Sequence, residues 1–317
     1  MPISACKTRH RTVSAGGLNL FVREAGEPAQ PAVLLLHGVP TSSHSFRNLM
    51  PLLADTARLV APDLPGFGFS DAPSLDRYEY SFENIADTID ALIDVLGLER
   101  MFLYVHDFGA PVAYHLATRR PERVLGLIVQ NGSAHDEGMG KSWDASKAFW
   151  ADPSPENRAK LPDWLNFEGT RDVYIGGIPE RLKPLFPPEC WHFDWERLSR
   201  PGNREIHFKL FEDYKNHVAR FAEIARYHRE HQPPCLILWG RHDIYFELDE
   251  IMAYAHALER LEMHVFDGAH LLLETHYREC ADAIRRFVAD AAKSPGGPVQ
   301  GAGGIQRNRC EAVENGP

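Results

Sequence analysis

The sequence of 317 residues lacks the usual marks of a secreted, membrane-bound or metal-binding protein. Its five cysteines are scattered and odd in number, with neither a disulfide framework nor a zinc-binding spacing. No stretch approaches the roughly 18 apolar residues of a membrane span, and residues 1–12 contain no apolar run that would indicate a signal peptide. We therefore expect a cytoplasmic protein that holds no metal.

Positive charge is scarce relative to negative charge. The chain has 34 Lys and Arg against 44 Asp and Glu, which gives a formal net charge of −10 at pH 7. This balance argues against nucleic acid or an anionic membrane surface as a partner. What remains is an ordinary globular composition, 44% hydrophobic and 25% charged, in a chain long enough for one large core with an insertion or for two domains.

Short apolar runs alternate with segments of helical periodicity at both ends of the chain. The runs predict strands at residues 32–36, 58–62, 101–105, 124–129, 235–239 and 261–266, and the alternation of apolar and polar residues predicts a half-exposed strand at 18–24. The periodic segments predict helices at residues 43–54, 81–96, 111–118, 247–258 and 280–291. Strands that alternate with helices in this way predict an α/β protein with a mostly parallel sheet flanked by helices.

This alternation stops in the middle of the chain. Residues 133–231 show no strand-like run and instead contain helical fragments, prolines and many aromatic residues. We interpret them as a helical cap inserted into a core domain formed by residues 1–132 and 232–293. Residues 294–317 are rich in glycine and polar residues, and they predict a disordered C-terminal tail.

The most informative stretch is the strand at 101–105 and the turn that follows it. The turn reads His106-Asp107-Phe108-Gly109-Ala110 and leads directly into a predicted helix. A strand that turns sharply into a helix through small residues is the geometry of a nucleophile elbow, which exposes one side chain beside the first backbone N–H groups of the helix. That side chain is usually a serine, but in this sequence it is Asp107.

Two further ionisable residues follow predicted strands. Asp243 closes the segment Gly240-Arg-His-Asp243, and His270 closes Gly268-Ala-His270. Ligands bind at the carboxyl ends of strands in an open parallel sheet, so we expect these side chains to meet Asp107 there. The order of nucleophile, acid and histidine is the order expected for a triad built on such an elbow.

With these motifs, and with His37-Gly-Val-Pro40, the chain from about Leu18 to Ala291 resembles the α/β-hydrolases of the haloalkane dehalogenase and epoxide hydrolase group. The resemblance implies the α/β-hydrolase fold with an inserted helical cap, and catalysis without a cofactor. It also implies an oxyanion hole formed by the backbone N–H groups of Val39 and Phe108, with His37 as a further oxyanion-hole or substrate-binding residue.

An aspartate at the elbow indicates attack on a saturated carbon. A carboxylate is already ionised at pH 7, and its attack on an ester would give a high-energy anhydride. Displacement at an sp³ carbon gives a plain ester instead, with Asp107 as the nucleophile. His270, oriented by Asp243, would then activate the water that hydrolyses this alkyl-enzyme ester.

The leaving group distinguishes the candidate enzymes of this group. Dehalogenases commonly have Asn at the position of Val39 and Trp at that of Phe108, and fluoroacetate dehalogenases have Arg at the latter position. Epoxide hydrolases instead donate a proton from cap tyrosines, and Tyr214 falls where one of them is expected. The early cap has no second tyrosine, so either Tyr174 replaces it or Trp150 and Tyr214 form a pair of donors.

The sequence therefore predicts a hydrolase that uses water to open a small apolar molecule, with an epoxide as the first candidate substrate. A haloalkane dehalogenase with the same covalent mechanism is the alternative. A hydrolase fold retained only for ligand binding is a third hypothesis, which the complete set of triad residues disfavours. Neither nucleic acid nor membrane is expected as a partner, and the sequence leaves a homodimer open.

Overall fold

A computed structural model describes residues 8–292, and the predicted tail at 294–317 lies outside them. The strands are β1 (Arg9–Ala15), β2 (Leu18–Ala25), β3 (Ala32–Leu36), β4 (Arg58–Pro62), β5 (Met101–His106), β6 (Val124–Gln130), β7 (Cys235–Gly240) and β8 (Leu261–Phe266). They form one sheet in the order β1-β2-β4-β3-β5-β6-β7-β8. Strand β2 is antiparallel to β1 and β4, and every other neighbouring pair from β4 to β8 is parallel.

Helices flank both faces of this sheet. Within residues 8–292 the α-helices are α1 (Met50–Leu53), α2 (Phe82–Val95), α3 (Gly109–Arg119), α4 (Asp144–Ala151), α5 (Pro155–Arg158), α6 (Phe167–Ile175), α7 (Pro188–Leu198), α8 (Asn203–Ala219), α9 (Phe221–His231), α10 (Asp249–Ala257) and α11 (Leu273–Ala292). The architecture confirms the predicted mostly parallel sheet with helices on its faces.

The alternation of side chains along each buried strand produces the two layers of the core. In β3, Leu34 and Leu36 pack into the apolar cluster that includes α2 and α3. Val33 and Leu35 point the other way, into the cluster that includes α1 and α11. Because both faces are covered by helices, these strands are continuous apolar runs and do not alternate with polar residues.

Between β6 and β7, the described chain contains α-helices α4 to α9 and short 3₁₀ turns, with no strand. We call residues 133–231 the helical segment. Its division from the rest of the chain as a separate cap domain stays a prediction. None of the helices within residues 8–292 has both the length and the apolar character needed to cross a membrane.

Candidate active site

The turn between β5 and α3 places Asp107 in an unusual backbone conformation. Its φ is +47°, in the left-handed region that few non-glycine residues adopt. A Cβ at Gly38 would lie 2.4 Å from Asp107 Cβ, and one at Gly109 would lie 2.5 Å from the carbonyl oxygen of Leu36. Glycine at both positions therefore allows the sharp turn and brings the loop after β3 against the Asp107 side chain.

The loop after β3 supplies a donor to the Asp107 carboxylate. The backbone N–H of Val39 donates to Asp107 Oδ1 at 2.7 Å. The neighbouring His37 is buried and braces this loop, because it accepts the N–H of Leu64 at Nε2 (3.0 Å) and donates from Nδ1 to the carbonyl of Gly38 (2.9 Å). His37 thus holds the loop in place without lining the cavity at the site.

The loops after β7 and β8 bring the other two predicted residues to Asp107. His270 Nδ1 lies 2.8 Å from Asp243 Oδ2, and the opposite ring nitrogen Nε2 lies 3.8 Å from Asp107 Oδ2. The first distance is a hydrogen bond and the second is too long for one. The Asp243 and His270 side chains are almost fully buried, with exposures of 1% and 3%. The imidazole is therefore fixed on one side and open toward Asp107 on the other.

Burial and neighbouring charges shift the pKa values of Asp107 and His270. Burial raises the pKa of Asp107 above its ordinary value, although the positive charge available to His270 and the N–H groups of Val39 and Phe108 act in the opposite direction. Burial by itself would lower the pKa of His270, but the carboxylates of Asp243 and Asp107 outweigh it, and the pKa is raised. The arrangement makes His270 a stronger base than an isolated imidazole.

Asn131, at the end of β6, connects the elbow to the acid. Its Nδ2 donates to Asp243 Oδ2 at 2.8 Å and to the carbonyl of Gly240 at 3.2 Å. Its Oδ1 accepts the N–H of Gly240 at 2.9 Å, and its own carbonyl accepts the N–H of Asp107 at 3.3 Å. Asn131 thus orients the carboxylate that is hydrogen-bonded to His270.

Asp107, His270, Val39 and Phe108 line one cavity of about 480 Å³ between the sheet and the helical segment. Its volume falls in the range of roughly 300–1,000 Å³ that is usual for small-molecule sites. Most of its lining is apolar or aromatic, and the helical segment contributes residues such as Trp143, Trp164 and Phe211. The predicted nucleophile thus faces a mostly apolar cavity large enough for a small organic molecule.

The predicted donors of the helical segment have other partners. The hydroxyl of Tyr214 is fully buried and lies 2.8 Å from Ser133 Oγ. The indole N–H of Trp150 donates to the carbonyl of Phe211 at 3.1 Å. The hydroxyl of Tyr174 donates to Asp194 in a separate buried cluster. None of the three lines the cavity, because the helices direct their polar atoms into the packing of the segment itself.

Of the aromatic residues that line the cavity, Tyr245 and Trp164 contact the predicted site residues, and the sequence analysis singled out neither. Tyr245, two residues after Asp243, packs edge-on against His270 with ring centroids 5.1 Å apart. Trp164 lies edge-on to Phe108, with centroids 6.4 Å apart. Tyr245 is close to Asp243 in the sequence, and this could have indicated that it lies at the site. The position of Trp164 depends on the path of the helical segment and could not have been predicted in this way.

Comparison with known proteins agrees with this architecture. The family model described as "alpha/beta hydrolase fold" matches residues 31–169. An uncharacterized hydrolase of Saccharomyces cerevisiae is 33% identical to this chain over 285 residues, which covers 89% of this chain and 97% of the yeast protein. The similarity therefore includes the elbow, the helical segment and the loops that carry Asp243 and His270.

Two shorter similarities concern enzymes with assigned activities. A haloalkane dehalogenase of Mesorhizobium japonicum is 47% identical over 104 residues, 33% of this chain and 32% of that protein. Epoxide hydrolase 2 of Siraitia grosvenorii is 39% identical over 130 residues, 41% of this chain and 40% of that protein. The chain is therefore an enzyme of the α/β-hydrolase superfamily and belongs to its epoxide hydrolase and haloalkane dehalogenase group.

Proposed function

We propose that the enzyme is an epoxide hydrolase that works through an alkyl-enzyme ester on Asp107. The observation that carries the proposal is the position of the Asp107 carboxylate. It faces an apolar cavity, with one oxygen bound to a backbone N–H and the other 3.8 Å from His270 Nε2. A carboxylate presented in this way is suited to attack carbon and then to be released by an activated water.

The two oxygens of Asp107 have different roles in this proposal. Oδ2, which has no hydrogen bond to His270, attacks an epoxide carbon, and the bond from that carbon to the ring oxygen breaks. The ring oxygen keeps the electron pair and takes a proton. Oδ1 becomes the carbonyl oxygen of the new ester and is already bound by the N–H of Val39 at 2.7 Å.

His270 then acts on the ester. Its Nε2 faces Asp107, while its Nδ1–H is held by Asp243, so the free nitrogen can take a proton from a water molecule beside the ester. The resulting hydroxide adds to the ester carbonyl carbon, and negative charge develops on Oδ1. The N–H groups of Val39 and Phe108 stabilise that charge, the diol leaves, and the Asp107 carboxylate is restored.

The charges around the cavity favour a neutral substrate over an anionic one. Asp163, Glu168 and Asp172 line the cavity together with Asp107, and no Lys or Arg among residues 8–292 lines it. A substrate with its own carboxylate would be repelled and would find no positive partner. This distribution agrees with the absence of an arginine after the nucleophile and disfavours haloacids as substrates.

The covalent step is tested by a single turnover in heavy-oxygen water, with styrene oxide as the substrate. Hydrolysis of the ester should place one heavy oxygen in the peptide that contains Asp107, as detected by mass spectrometry. Asp107→Asn should form no ester and no diol, because an amide is a far weaker nucleophile. Diol that forms without label in the enzyme would show direct attack by water and would reject the mechanism.

A haloalkane dehalogenase is the second candidate, and Trp164 favours it. Its indole lines the cavity, and its N–H has no hydrogen-bond partner in the part of the chain that the structure describes. A halide leaving from the substrate needs such a donor. Release of chloride or bromide from short alkyl halides, with no diol from styrene oxide, would select this activity over the first.

A further inference from the structure

The ring oxygen of an epoxide must receive a proton when the carbon–oxygen bond breaks, and the predicted donor is occupied. The Tyr214 hydroxyl lies 2.8 Å from Ser133 Oγ, and Tyr214 does not line the cavity. Its ring is stacked on Trp143 and tilted against Phe108. A donor that serves the ring oxygen should instead have a free O–H or N–H directed at the space beside Asp107 and His270.

We infer that Tyr245 is this donor. It lines the cavity together with Asp107 and His270, and its ring lies edge-on to the His270 ring with centroids 5.1 Å apart. Its hydroxyl has no hydrogen-bond partner among residues 8–292. This role rests on the proposed epoxide hydrolase function and adds the group that assists the leaving oxygen.

The backbone around Tyr245 holds it in a fixed relation to the rest of the site. Its N–H donates to Asp243 Oδ1 at 2.7 Å, and its carbonyl accepts the indole N–H of Trp143 at 2.6 Å. The same carboxylate therefore orients both the His270 ring, through Oδ2, and Tyr245, through Oδ1. A side chain fixed on both sides of its Cα can meet a substrate atom with little loss of conformational freedom.

The electrostatic environment keeps this phenol protonated. Burial raises the pKa of Tyr245, and the nearby carboxylates of Asp243 and Asp107 raise it further. The O–H is therefore available at neutral pH as a donor to an oxygen on which negative charge develops. An alkoxide is a strong enough base to take the proton from a phenol, even from one whose pKa is raised.

In this proposal Tyr245 loses a proton in the first step and regains one in the second. In the first step the phenol gives its proton to the ring oxygen as Asp107 Oδ2 bonds to carbon, which leaves a tyrosinate and a hydroxyalkyl ester. Hydrolysis of that ester by one water regenerates the carboxylate and the diol and releases one proton. That proton restores the phenol, so the net reaction is epoxide plus water to diol.

The test measures ester formation separately from ester hydrolysis in a His270→Gln background, where the ester accumulates and is quantified by mass spectrometry. Tyr245→Phe should slow ester formation from styrene oxide by about 100-fold or more, the contribution usual for a general acid. Ester formation from an alkyl iodide should change by only a few-fold, because leaving iodide takes no proton. The iodide reaction also shows whether the variant retains an intact nucleophile.

Two further tyrosine variants show whether Tyr245 or Tyr214 donates the proton. Tyr214→Phe tests the competing donor, and Tyr227→Phe is the control for loss of a buried hydroxyl away from the cavity. The inference would be overturned if Tyr214→Phe slowed ester formation from the epoxide alone while Tyr245→Phe formed the ester at the parent rate. If the parent forms no ester with either electrophile, the proposed function itself fails and Tyr245 loses its role with it.

Discussion

At the scale of single residues, the two carboxylates of the site differ in the number of hydrogen bonds that they accept. Asp243 is held by four donors: the imidazole of His270, the amide of Asn131 and the N–H groups of Tyr245 and Phe246. Asp107 accepts the N–H of Val39 and leaves Oδ2 facing the cavity. The fully satisfied carboxylate is suited to orienting its neighbours and the partly satisfied one to reacting.

The pH dependence of ester hydrolysis follows from His270. Only the neutral imidazole can take a proton from water, so the rate of ester hydrolysis should fall as the pH drops through the pKa of His270. In the free enzyme Asp243 and Asp107 raise this pKa above the ordinary value of 6.5. Once the ester has formed, Asp107 carries no charge, and Asp243 is the carboxylate that still raises this pKa. Asp243→Asn should therefore move the acid limb to lower pH and slow hydrolysis by about 100-fold or more.

This shift is measured as the rate of ester disappearance at a series of pH values after a rapid pulse of substrate. Asp87→Asn is a suitable control, because Asp87 is an exposed carboxylate in a surface ion pair with Arg119 and should leave the limb unchanged. If the rate of ester hydrolysis fell at the same pH in Asp243→Asn as in the parent, Asp243 would not set the basicity of His270.

At the scale of helices and strands, the sequence predicted the buried parts best. Strands β3 and β4 have the predicted bounds, because each is a short, mostly buried apolar run between clear turn signals. Strand β8 also has the predicted bounds, although it is only partly buried. Strand β1 was not predicted, since only Val13 and Ala15 of its residues are buried and the run has little apolar character. The predicted helix at 43–54 is in fact a 3₁₀ turn followed by the short helix α1, which has Pro51 in its first turn.

The same contrast applies to the site. The structure brings Asp107, Asp243 and His270 together as the sequence predicted. Each of them follows a strand, and the sheet topology brings strand ends together whatever the intervening chain does. The residues of the helical segment have no such constraint. Tyr214, Trp150 and Tyr174 have the right chemistry, but the packing of α4, α6 and α8 decides where their polar atoms point, and sequence periodicity does not report it.

The hydrogen bonds of Asn131 join the end of β6 to the end of β7, and substitution of Asn131 measures their contribution to stability. Asn131→Gly keeps the positive φ of +40° accessible while it removes the amide that links β6 to Gly240 and Asp243. Loss of a hydrogen bond to a buried charge and of the partner of the Gly240 N–H should lower the free energy of unfolding by about 3 kcal/mol. Urea unfolding at neutral pH measures this difference.

A matched variant separates the side chain from the backbone at this position. Asn131→Ala removes the same hydrogen bonds but keeps a Cβ at a positive φ, so it should be less stable than Asn131→Gly by about a further 1 kcal/mol. Both variants should hydrolyse the ester more slowly, because Asp243 is no longer held. An Asn131→Gly protein as stable as the parent would mean that water replaces the amide at no cost.

At the scale of the whole molecule, the cavity exists only while the helical segment stays over the sheet. Arg47, in the loop after β3, donates to Glu274 of α11 at 3.0 and 2.6 Å and contacts Cys190 Sγ of α7 at 3.0 Å. One guanidinium thus joins the loop that follows β3, the last helix and the helical segment. The side chain of Glu274 is only 2% exposed, so Arg47 replaces most of the water that would otherwise solvate its carboxylate.

Arg47→Met should therefore destabilise the protein strongly. It leaves a buried carboxylate without its cation, and removal of one member of a buried ion pair costs about 3–5 kcal/mol. Arg119→Met is the control, since Arg119 pairs with exposed carboxylates and its loss should cost about 1 kcal/mol or less. The double variant Arg47→Met with Glu274→Gln should regain part of the loss, because the uncompensated charge is gone. Urea midpoints at constant pH measure all three, and a double variant no more stable than Arg47→Met alone would place the loss in packing and not in charge.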